Sequence, residues 1–123
     1  MKKPINHLVA IAIIAMVAAG CASAPSRFYT LNSTATADGS PALPCAVAVG
    51  SVSVPASVDR PQFTLQVAPN RVAVDEFNRW AEPLNDNIAG VVAGDLAVLL
   101  RTPLVATAPL ANFNPDYRVT INI

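Results

Sequence analysis

The sequence predicts an α/β protein of the α+β type, in which at least one amphipathic helix packs on a small mixed sheet. Apolar residues alternate with small or polar ones over residues 45–54 and 117–123, as they do in half-buried strands. Between these runs, residues 83–101 carry apolar side chains at spacings of three and four, the pattern of an amphipathic helix. The composition changes near residues 20 and 45, so we expect three parts, over residues 1–20, 21–44 and 45–123.

The first twenty residues have the features of an export signal. Lys2 and Lys3 give a positive start, and an almost unbroken apolar run from Leu8 to Ala19 follows. A membrane-spanning helix needs about 20 apolar residues, so this shorter run is typical of a signal peptide. The alternative, a buried helix of the domain core, is less favoured because the basic start and a small-residue exit occur together.

Ala18-Ala19-Gly20-Cys21 resembles the lipobox of bacterial lipoproteins, with Ala18 where a Leu is usual. The resemblance implies that diacylglycerol is attached to the Cys21 thiol, that the chain is cut before Cys21, and that the new amine is acylated. This covalent lipid is the only non-protein group that we expect, with no cofactor and no metal. Ala22 is not the Asp of the familiar inner-membrane retention signal, so we expect a lipid-anchored protein of the outer membrane that faces the periplasm.

The composition after Cys21 excludes several functions. Six arginines stand against eight acidic residues, a net charge of minus two, and no Lys or His remains. A weakly acidic chain lacks the basic footprint that binds nucleic acid. Without His, no Ser-His or Cys-His pair can form, and a zinc site would have only Cys45 as a soft ligand. We therefore expect no enzyme activity and no nucleic-acid partner.

Residues 22–44 are rich in Ala, Ser, Thr and Pro, which is typical of a flexible tether. The stretch from Arg27 to Leu31 interrupts it with two aromatics, and we expect this part to dock on the domain as a short strand. Cys45, just beyond, cannot pair with a lipidated Cys21. It is either a buried, inert thiol or half of an intermolecular disulfide, and the adjacent apolar strand favours the buried thiol.

The domain begins with a strand over residues 45–54, whose phase slips at Gly50-Ser51 as a β-bulge would make it. A second strand follows over 63–67, then a turn at Pro69-Asn70 and a short third strand from Val72 to Val74. Two further strands are predicted over 104–107 and 117–123.

The helix over residues 83–101 has clear boundaries. Pro83 suits the first helical position, Asp86 complements the helix dipole in the first turn, and Pro103 stops the helix. Gly90 and Gly94 each cost about 1 kcal/mol relative to Ala, and we expect them to allow close approach to the sheet. The apolar stripe comprises Leu84, Ile88, Val91, Val92, Leu96, Leu99 and Leu100.

Four stretches of the chain carry a family resemblance. They are Phe28-Tyr29-Thr30-Leu31, Val54 to Gln62 with its Asp-Arg-Pro-Gln, Glu76 to Leu84 with its Arg-Trp-Ala-Glu-Pro-Leu, and Asn114 to Val119. Together, and in this order, they closely resemble the PqiC/YmbA family of ABC-type transport auxiliary lipoproteins. The family domain normally continues for several dozen residues with more strand and helix, so we expect this α+β domain to be truncated at its C-terminus.

The resemblance implies a non-catalytic role in lipid transport. The lipoprotein would be the auxiliary subunit of a Pqi- or Mla-like system, in which MCE-domain components move lipid between the inner and outer membranes and support membrane integrity. The implied partners are the membrane, through the lipid anchor, and an MCE-domain component. MCE proteins form rings, so we expect a homo-oligomeric ring by symmetry matching. The alternative is an outer-membrane assembly or envelope-integrity lipoprotein that binds another partner.

Two of the four stretches supply the candidate partner-binding residues, and each candidate also has a structural interpretation. Asp59 and Arg60 lie in a turn, where the Asp carboxylate is expected to accept backbone N–H bonds. Arg79 and Glu82 flank Trp80, and we expect them to pair around it at the start of the helix. Trp80 is large enough to anchor either the core or a partner surface. The core is favoured for Trp80, and fold maintenance is favoured for Asp59 and Arg60.

Overall fold

The strands form two separate sheets, and the helix packs on one of them. The computed structural model describes residues 23–109 and 112–123, so the predicted signal peptide and Cys21 lie outside the described residues. The α+β class is confirmed, although the strands are divided between two sheets instead of forming one. In chain order the elements are β1 Arg27–Tyr29, β2 Val47–Ser53, β3 Gln62–Ala68, β4 Arg71–Trp80, α1 Leu84–Leu100, β5 Val105–Thr107 and β6 Tyr117–Asn122.

One sheet, here called the parallel sheet, has the strand order β5-β2-β6, and β2 pairs in parallel with both neighbours. The central strand is buried from Val47 to Val49, as expected for a strand with neighbours on both edges and a helix on one face. The predicted bulge is confirmed, because the register between β2 and β6 shifts between Val49 and Val52. Gly50 lies in this shift, where a Cβ atom would stand 3.2 Å from the Val119 carbonyl oxygen.

Helix α1 covers the parallel sheet and closes the core. Val49 and Val52 from β2 meet Ala89 of the helix in a small buried cluster. Partly buried apolar side chains pack around this cluster: Val54, Ile88, Val92, Ala93, Leu96, Val105 and Ile121. The predicted packing of an amphipathic helix on a sheet is confirmed, although the stripe is not uniformly covered, since Leu99 is 46% exposed.

The ends of α1 differ slightly from the prediction. Pro83 precedes the first helical residue, and its carbonyl accepts the first helical hydrogen bond, from the Asn87 amide at 3.0 Å. At the other end, Arg101 adopts the left-handed conformation that commonly closes a helix, with φ 53° and ψ 42°. Within the described residues, no helix has the length and apolar character that crossing a membrane requires.

The second sheet, here called the hairpin sheet, has the order β1-β4-β3. Strands β3 and β4 form an antiparallel hairpin about the predicted Pro69-Asn70 turn, whereas β1 pairs in parallel with the last three residues of β4. The third strand is longer than predicted, because β4 continues to Trp80. Pairing on both sides extends it: Tyr29 of β1 lies opposite Trp80, whose amide donates to the Pro61 carbonyl at 2.7 Å.

The predicted tether lies against the domain from Arg27 onwards. After β1, residues 30–44 form a segment that we call the strap. The Ser33 hydroxyl donates to the Asp95 carboxylate of α1 at 2.6 Å, and the Leu43 amide donates to the Leu100 carbonyl at 2.9 Å. Docking was expected for residues 27–31, but it extends to Leu43. The reason is that α1 supplies hydrogen-bond partners along the strap.

The two glycines of α1 have different surroundings. A Cβ atom at Gly94 would stand 3.3 Å from the Ser33 Cβ, whereas a Cβ atom at Gly90 would meet nothing within 4 Å. The prediction that both glycines allow close approach to the sheet is therefore wrong. Gly94 instead leaves room for the strap, which crosses the helix on the side away from the sheet's core cluster.

Candidate partner-binding site

A cleft of about 390 Å³ opens between the turn after β2 and the junction of β4 with α1. Four of the five predicted partner-binding residues line it, although Asp59 and Arg60 are far from Trp80 and Glu82 in the chain. We call it the Trp80 cleft, and its lining is Asp59, Arg60, Pro61, Trp80, Ala81, Glu82, Pro83 and Leu84. Two of the stretches that carry the family resemblance therefore meet at one place on the surface.

Backbone hydrogen bonds hold the two walls of the cleft together. The amides of Val58 and Asp59 donate to the Pro55 carbonyl at 2.9 and 3.1 Å, and these bonds close the turn after β2. The turn thus uses main-chain bonds where the Asp59 carboxylate was predicted to act, and that side chain is exposed. Across the cleft, the Trp80 amide donates to the Pro61 carbonyl. Main-chain geometry therefore sets the shape of the cleft.

Trp80 contributes both to the fold and to the cleft. Its ring lies against Phe63, with the ring centroids 4.5 Å apart and the planes tilted by 42°. Phe63 in turn meets Tyr29 of β1, with centroids 5.0 Å apart. These three rings join the three strands of the hairpin sheet. Trp80 remains only half-buried, so its ring also forms a wall of the cleft.

The charged residues around Trp80 are not paired as predicted. Arg79 does not pair with Glu82: its Nε donates to the Glu76 carbonyl at 3.0 Å, and its Nη2 lies 3.7 Å from a Glu76 carboxylate oxygen. Glu82 instead accepts a hydrogen bond from the Thr30 hydroxyl at 3.3 Å. Arg79 therefore supports β4 and is not part of the cleft lining, because its guanidinium turns back along its own strand.

The Trp80 cleft combines apolar lining with a rim of both charges. Trp80 and Leu84 are half-buried and supply the apolar lining, and the exposed charges on the rim are Asp59, Arg60 and Glu82. This arrangement can receive an apolar side chain of another protein and hold charged neighbours of either sign. Across residues 23–109 and 112–123, no three His, Cys, Asp or Glu side chains come together as metal ligands do.

The carboxylates whose pKa is clearly shifted lie outside the cleft. The Asn78 side-chain amide donates to Asp75 at 2.6 Å, and this bond is the main cause of the lowered pKa of Asp75. The Ser33 hydroxyl, followed by the Ala35 amide, lowers the pKa of Asp95 in the same way. The Ser40 amide and hydroxyl lower the pKa of a third carboxylate, Asp38. These carboxylates are therefore held ionised as acceptors for local structure, Asp75 within β4, Asp95 beneath the strap and Asp38 within it.

Sequence reasoning missed the residues that connect the strap to the cleft. Asn87 is buried, its side-chain oxygen accepts the Leu31 amide at 3.2 Å, and its amide nitrogen donates to the Thr30 hydroxyl at 3.2 Å. The same Thr30 hydroxyl reaches Glu82 on the rim of the cleft. One signal was available: Asn87 lies three residues after Leu84 and beside Ile88, so it falls on the edge of the apolar stripe.

A second cavity lies at the opposite end of the helix. This apolar groove has a volume of about 430 Å³, and its lining is Leu43, Pro44, Cys45, Val47, Leu96, Leu100, Tyr117 and Val119. Cys45 is a free thiol and only half-buried there, so the predicted full burial is not observed. None of the predicted partner-binding residues lies in the apolar groove.

Comparison with known proteins places this chain in a family. A model of the ABC-type transport auxiliary lipoprotein component family matches residues 29–123. No curated protein matches the chain. The crystal structure of a DUF330 family protein from Xanthomonas campestris superposes with a TM-score of 0.66 at 19% identity, covering 79% of this chain and 54% of that one. The crystal structure of an uncharacterized protein gives a TM-score of 0.60 at 22% identity, covering 80% of this chain and 59% of that one.

These findings confirm the fold and the family resemblance. At such low identity the two structures show a shared fold alone, and this chain spans a little over half of the length of each. The family model is more specific, because it covers β1 from Tyr29 through β6, and so includes both walls of the Trp80 cleft. This chain belongs to the family of ABC-type transport auxiliary lipoprotein components.

Proposed function

We propose that this protein is a non-catalytic, outer-membrane-anchored lipoprotein of the periplasm, and that it is the auxiliary subunit of an MCE/ABC-type lipid transport system of the Pqi or Mla kind. The observation that carries this proposal is the Trp80 cleft, where residues 54–62 and 76–84 meet although they lie apart in the chain. Family membership supports a role in ABC-type transport. The similar structures are longer than this chain, so the activity and partners of the whole protein are proposed here from the cleft and the family together.

The lining of the cleft supports a protein partner. Trp80 is backed by Phe63, so a side chain that inserts beside it meets an aromatic surface that is already ordered. Binding to a preorganised surface loses less conformational entropy, and buried Trp side chains are frequent centres of binding energy. Arg60 and Glu82 on the rim would select a partner segment with complementary charges. We infer that an MCE-domain component presents an apolar side chain flanked by charged residues to this cleft.

The lipid anchor is the second part of the proposal. Diacylglycerol and an N-acyl chain on Cys21 would anchor the protein stably, since two or more chains are needed for lasting membrane attachment. Ala22 supports sorting to the outer membrane. A domain anchored there faces the periplasm, where it would meet a transport assembly that extends from the inner membrane. We also propose that the lipoprotein forms a homo-oligomeric ring, because a ring would match the symmetry of a ring-shaped MCE partner.

A charge-reversal experiment tests the proposed binding face. The full-length chain, purified from membranes, captures the MCE-domain component either as wild type or as Arg60→Glu. We expect the substitution to weaken capture about tenfold, which corresponds to about 1.4 kcal/mol. The loss should be larger at low salt than at high salt, because salt screens exposed charges. Arg118→Glu on β6 is the matched control, since it makes the same charge change outside the cleft and should bind as wild type does.

Circular dichroism establishes that each variant is folded before its binding is compared. Equal capture by folded Arg60→Glu and Arg118→Glu would show that Arg60 is not part of the binding face. If the folded wild type captures no MCE-domain component, the transport partnership fails. The alternative, an outer-membrane assembly or envelope-integrity lipoprotein with another partner, would then replace it.

A further inference from the structure

The hairpin of β3 and β4 exposes large apolar side chains on both of its faces. Leu65 is 46% exposed, Val67 47%, Val72 59% and Val74 39%. Leu65 pairs with Ala73, whereas Val72 and Val74 pair with the polar residues Gln66 and Thr64. Paired residues share a face and successive residues alternate, so Leu65 lies on one face while Val72 and Val74 lie on the other. We call residues 64–74 the hairpin wedge.

The helix packs elsewhere, on β2 and β5 of the parallel sheet. Strand β1 pairs only with residues 78–80, beyond the wedge. In the part of the chain that the structure describes, the turn after β2 meets the base of the wedge, where the Thr64 hydroxyl donates to the Ser57 carbonyl at 2.7 Å and Leu65 lines a small pocket with Val58. Elsewhere on the wedge, Val67, Val72 and Val74 remain exposed. Several exposed aliphatic side chains on one short hairpin are a feature of interaction sites. A single flat partner would cover one face, whereas a surrounding apolar medium would cover both.

The path of the chain indicates which medium the wedge meets. Strand β1 runs parallel to β4, with Arg27 opposite Asn78. Strand β4 starts at the hairpin turn and runs away from it, so the chain enters β1 from the end of the sheet that carries the turn. The chain just before Arg27 therefore approaches β1 from the same side as the tip of the wedge.

The reach of the chain from β1 back to Cys21 is close to the distance from β1 to the tip of the wedge. Cys21 is six residues before Arg27, and an extended chain spans at most about 3.6 Å per residue, so the lipidated residue lies within about 22 Å of β1. From Asn78 back to the turn at Asn70 the strand covers eight residues, or about 26 Å at 3.3 Å per residue. A membrane that holds the lipid on Cys21 is thus within reach of the wedge tip.

The charges at the tip suit the same surface. Arg71 is exposed beside the turn, whereas the acidic residues of β4, Asp75 and Glu76, lie further from it. A guanidinium at the headgroup level can bind lipid phosphate while nearby valines contact the acyl boundary. Insertion must be shallow, because the outer edge of β3 carries backbone groups that need water or headgroups as hydrogen-bond partners.

We propose that the hairpin wedge inserts into the headgroup and acyl boundary of the membrane that holds the lipid anchor, with Arg71 on the phosphate of anionic lipid. This inference rests on the lipid anchor of the proposed function. It gives the domain a second membrane contact, so the hairpin sheet has a defined orientation at the surface, and the Trp80 cleft at the far end of β4 is held away from the membrane.

A fluorescent probe in the full lipidated chain tests the insertion. Cys45→Ser removes the free thiol, and Val72→Cys then carries a polarity-sensitive dye on the wedge. Leu104→Cys is the matched control, because Leu104 is an aliphatic residue that is 50% exposed outside the hairpin. Both proteins are reconstituted into vesicles of phosphatidylethanolamine and phosphatidylglycerol. We expect blue-shifted emission and several-fold stronger quenching by shallow spin-labelled lipid at Val72 than at Leu104, with a smaller difference in phosphatidylcholine vesicles.

The outcomes separate this inference from the proposed function. A chain that does not float with the vesicles would overturn the lipid anchor and this inference together. A chain that floats, but whose Val72 dye is quenched by lipid no more than the Leu104 dye, would overturn the insertion alone. A blue shift at Val72 without lipid quenching, rising with protein density, would show that a second copy covers the wedge, and this too would overturn membrane insertion.

Discussion

Asp95 shows how one polar residue on an apolar helix can determine the path of a whole segment. Its carboxylate accepts the Ser33 hydroxyl at 2.6 Å and the Ala35 amide at 3.1 Å. We predict that Asp95→Ala releases this part of the strap, because the Ser33 hydroxyl and the Ala35 amide lose their shared acceptor. The measurement is hydrogen exchange over residues 31–37, which should become faster, with Asp86→Ala as the control on the same helix. Unchanged protection in Asp95→Ala would show that packing alone holds the strap.

The same bonds give the strap a pH dependence. They lower the pKa of Asp95 from its ordinary value of 3.8, so the carboxylate stabilises the folded arrangement when it is ionised. The contribution is present above about pH 4 and is lost as the pH falls through the lowered folded pKa. We expect the protection factors of the strap to stay constant from neutral pH down to about 4, and then to fall. Asp95→Ala should remove the step over residues 31–37. The Ser40 amide keeps its own pH dependence, because it donates to Asp38, whose pKa is lowered as well. A step of equal size over residues 31–37 in Asp95→Ala would assign it to another group.

Gly90 and Gly94 form a natural pair for comparison, since they lie four residues apart on one helix. We predict that Gly90→Ala raises the free energy of unfolding by about 0.5 to 1 kcal/mol, because a Cβ there meets nothing and Ala is the better helix former. Gly94→Ala should gain less, because its Cβ presses on Ser33. Urea denaturation measures both, and a larger gain at Gly94 would contradict the close approach of the strap.

At the scale of the elements, α1 and the parallel sheet form the core, and Leu96 tests their packing. Leu96 is partly buried and packs around Val49, Val52 and Ala89. We predict that Leu96→Ala lowers the free energy of unfolding by about 2 kcal/mol, the lower end for such truncations, because its site opens into the apolar groove. Leu99→Ala, at a residue that is 46% exposed, should cost well under about 1 kcal/mol. Equal losses of unfolding free energy in Leu96→Ala and Leu99→Ala would show that Leu96 packs no more tightly than the exposed Leu99.

The hairpin sheet shows why element boundaries are hard to predict from sequence. Apolar and polar residues do not alternate cleanly from Glu76 to Trp80. In the same region the pairing of β3 with β4 shifts between Gln62 and Phe63, which leaves extra residues on β4. Its extended conformation depends on β1, whose three residues come from far away in the chain. A local pattern cannot contain that information, so the third strand was predicted to end too early.

At the scale of the whole molecule, the lipid anchor that we propose at Cys21 lies outside the described residues, whereas the strap is part of the folded structure. A chain in which Cys21→Ser removes the lipidation site should accumulate as an unacylated, full-length precursor, because no thiol remains to receive diacylglycerol. Metabolic labelling with palmitate and gel mobility measure this. Normal labelling of the Cys21→Ser chain would place the lipid elsewhere.

In an otherwise wild-type chain, Ala22→Asp should shift the protein from the outer to the inner membrane on fractionation.

The strap changes what a shortened N-terminal region is expected to do. A free tether could lose residues without loss of domain stability, but the Ala35 amide bonds to Asp95 and the Arg101 guanidinium donates to the Ser40 carbonyl at 2.9 Å. We predict that deleting residues 34–36 lowers the midpoint of urea unfolding. Inserting three residues before Pro25, outside the strap, should leave it unchanged. Equal midpoints for both variants would return the strap to the role of a simple tether.

Features with a local signal can be predicted from the amino-acid sequence alone. The alternation of β2 with its bulge, the apolar stripe of α1, the turn at Pro69-Asn70 and the motifs of the family can all be recognised within a few residues of chain. The family motifs also contain Asp59, Arg60, Trp80 and Glu82, which lie together at one cleft in the structure. Arg79 was included as a candidate because it lies in the same motifs, and a motif does not show which way each side chain turns.

How these parts meet depends on long-range contacts in the folded chain. The division of the strands into two sheets, the course of the strap over Gly94, the meeting of both walls at the Trp80 cleft and the projection of the hairpin wedge all depend on contacts between residues far apart in the chain. The physical reason is that hydrophobic periodicity states which side of an element is apolar, but not which partner covers it. That choice is made by pairing, register and packing in three dimensions.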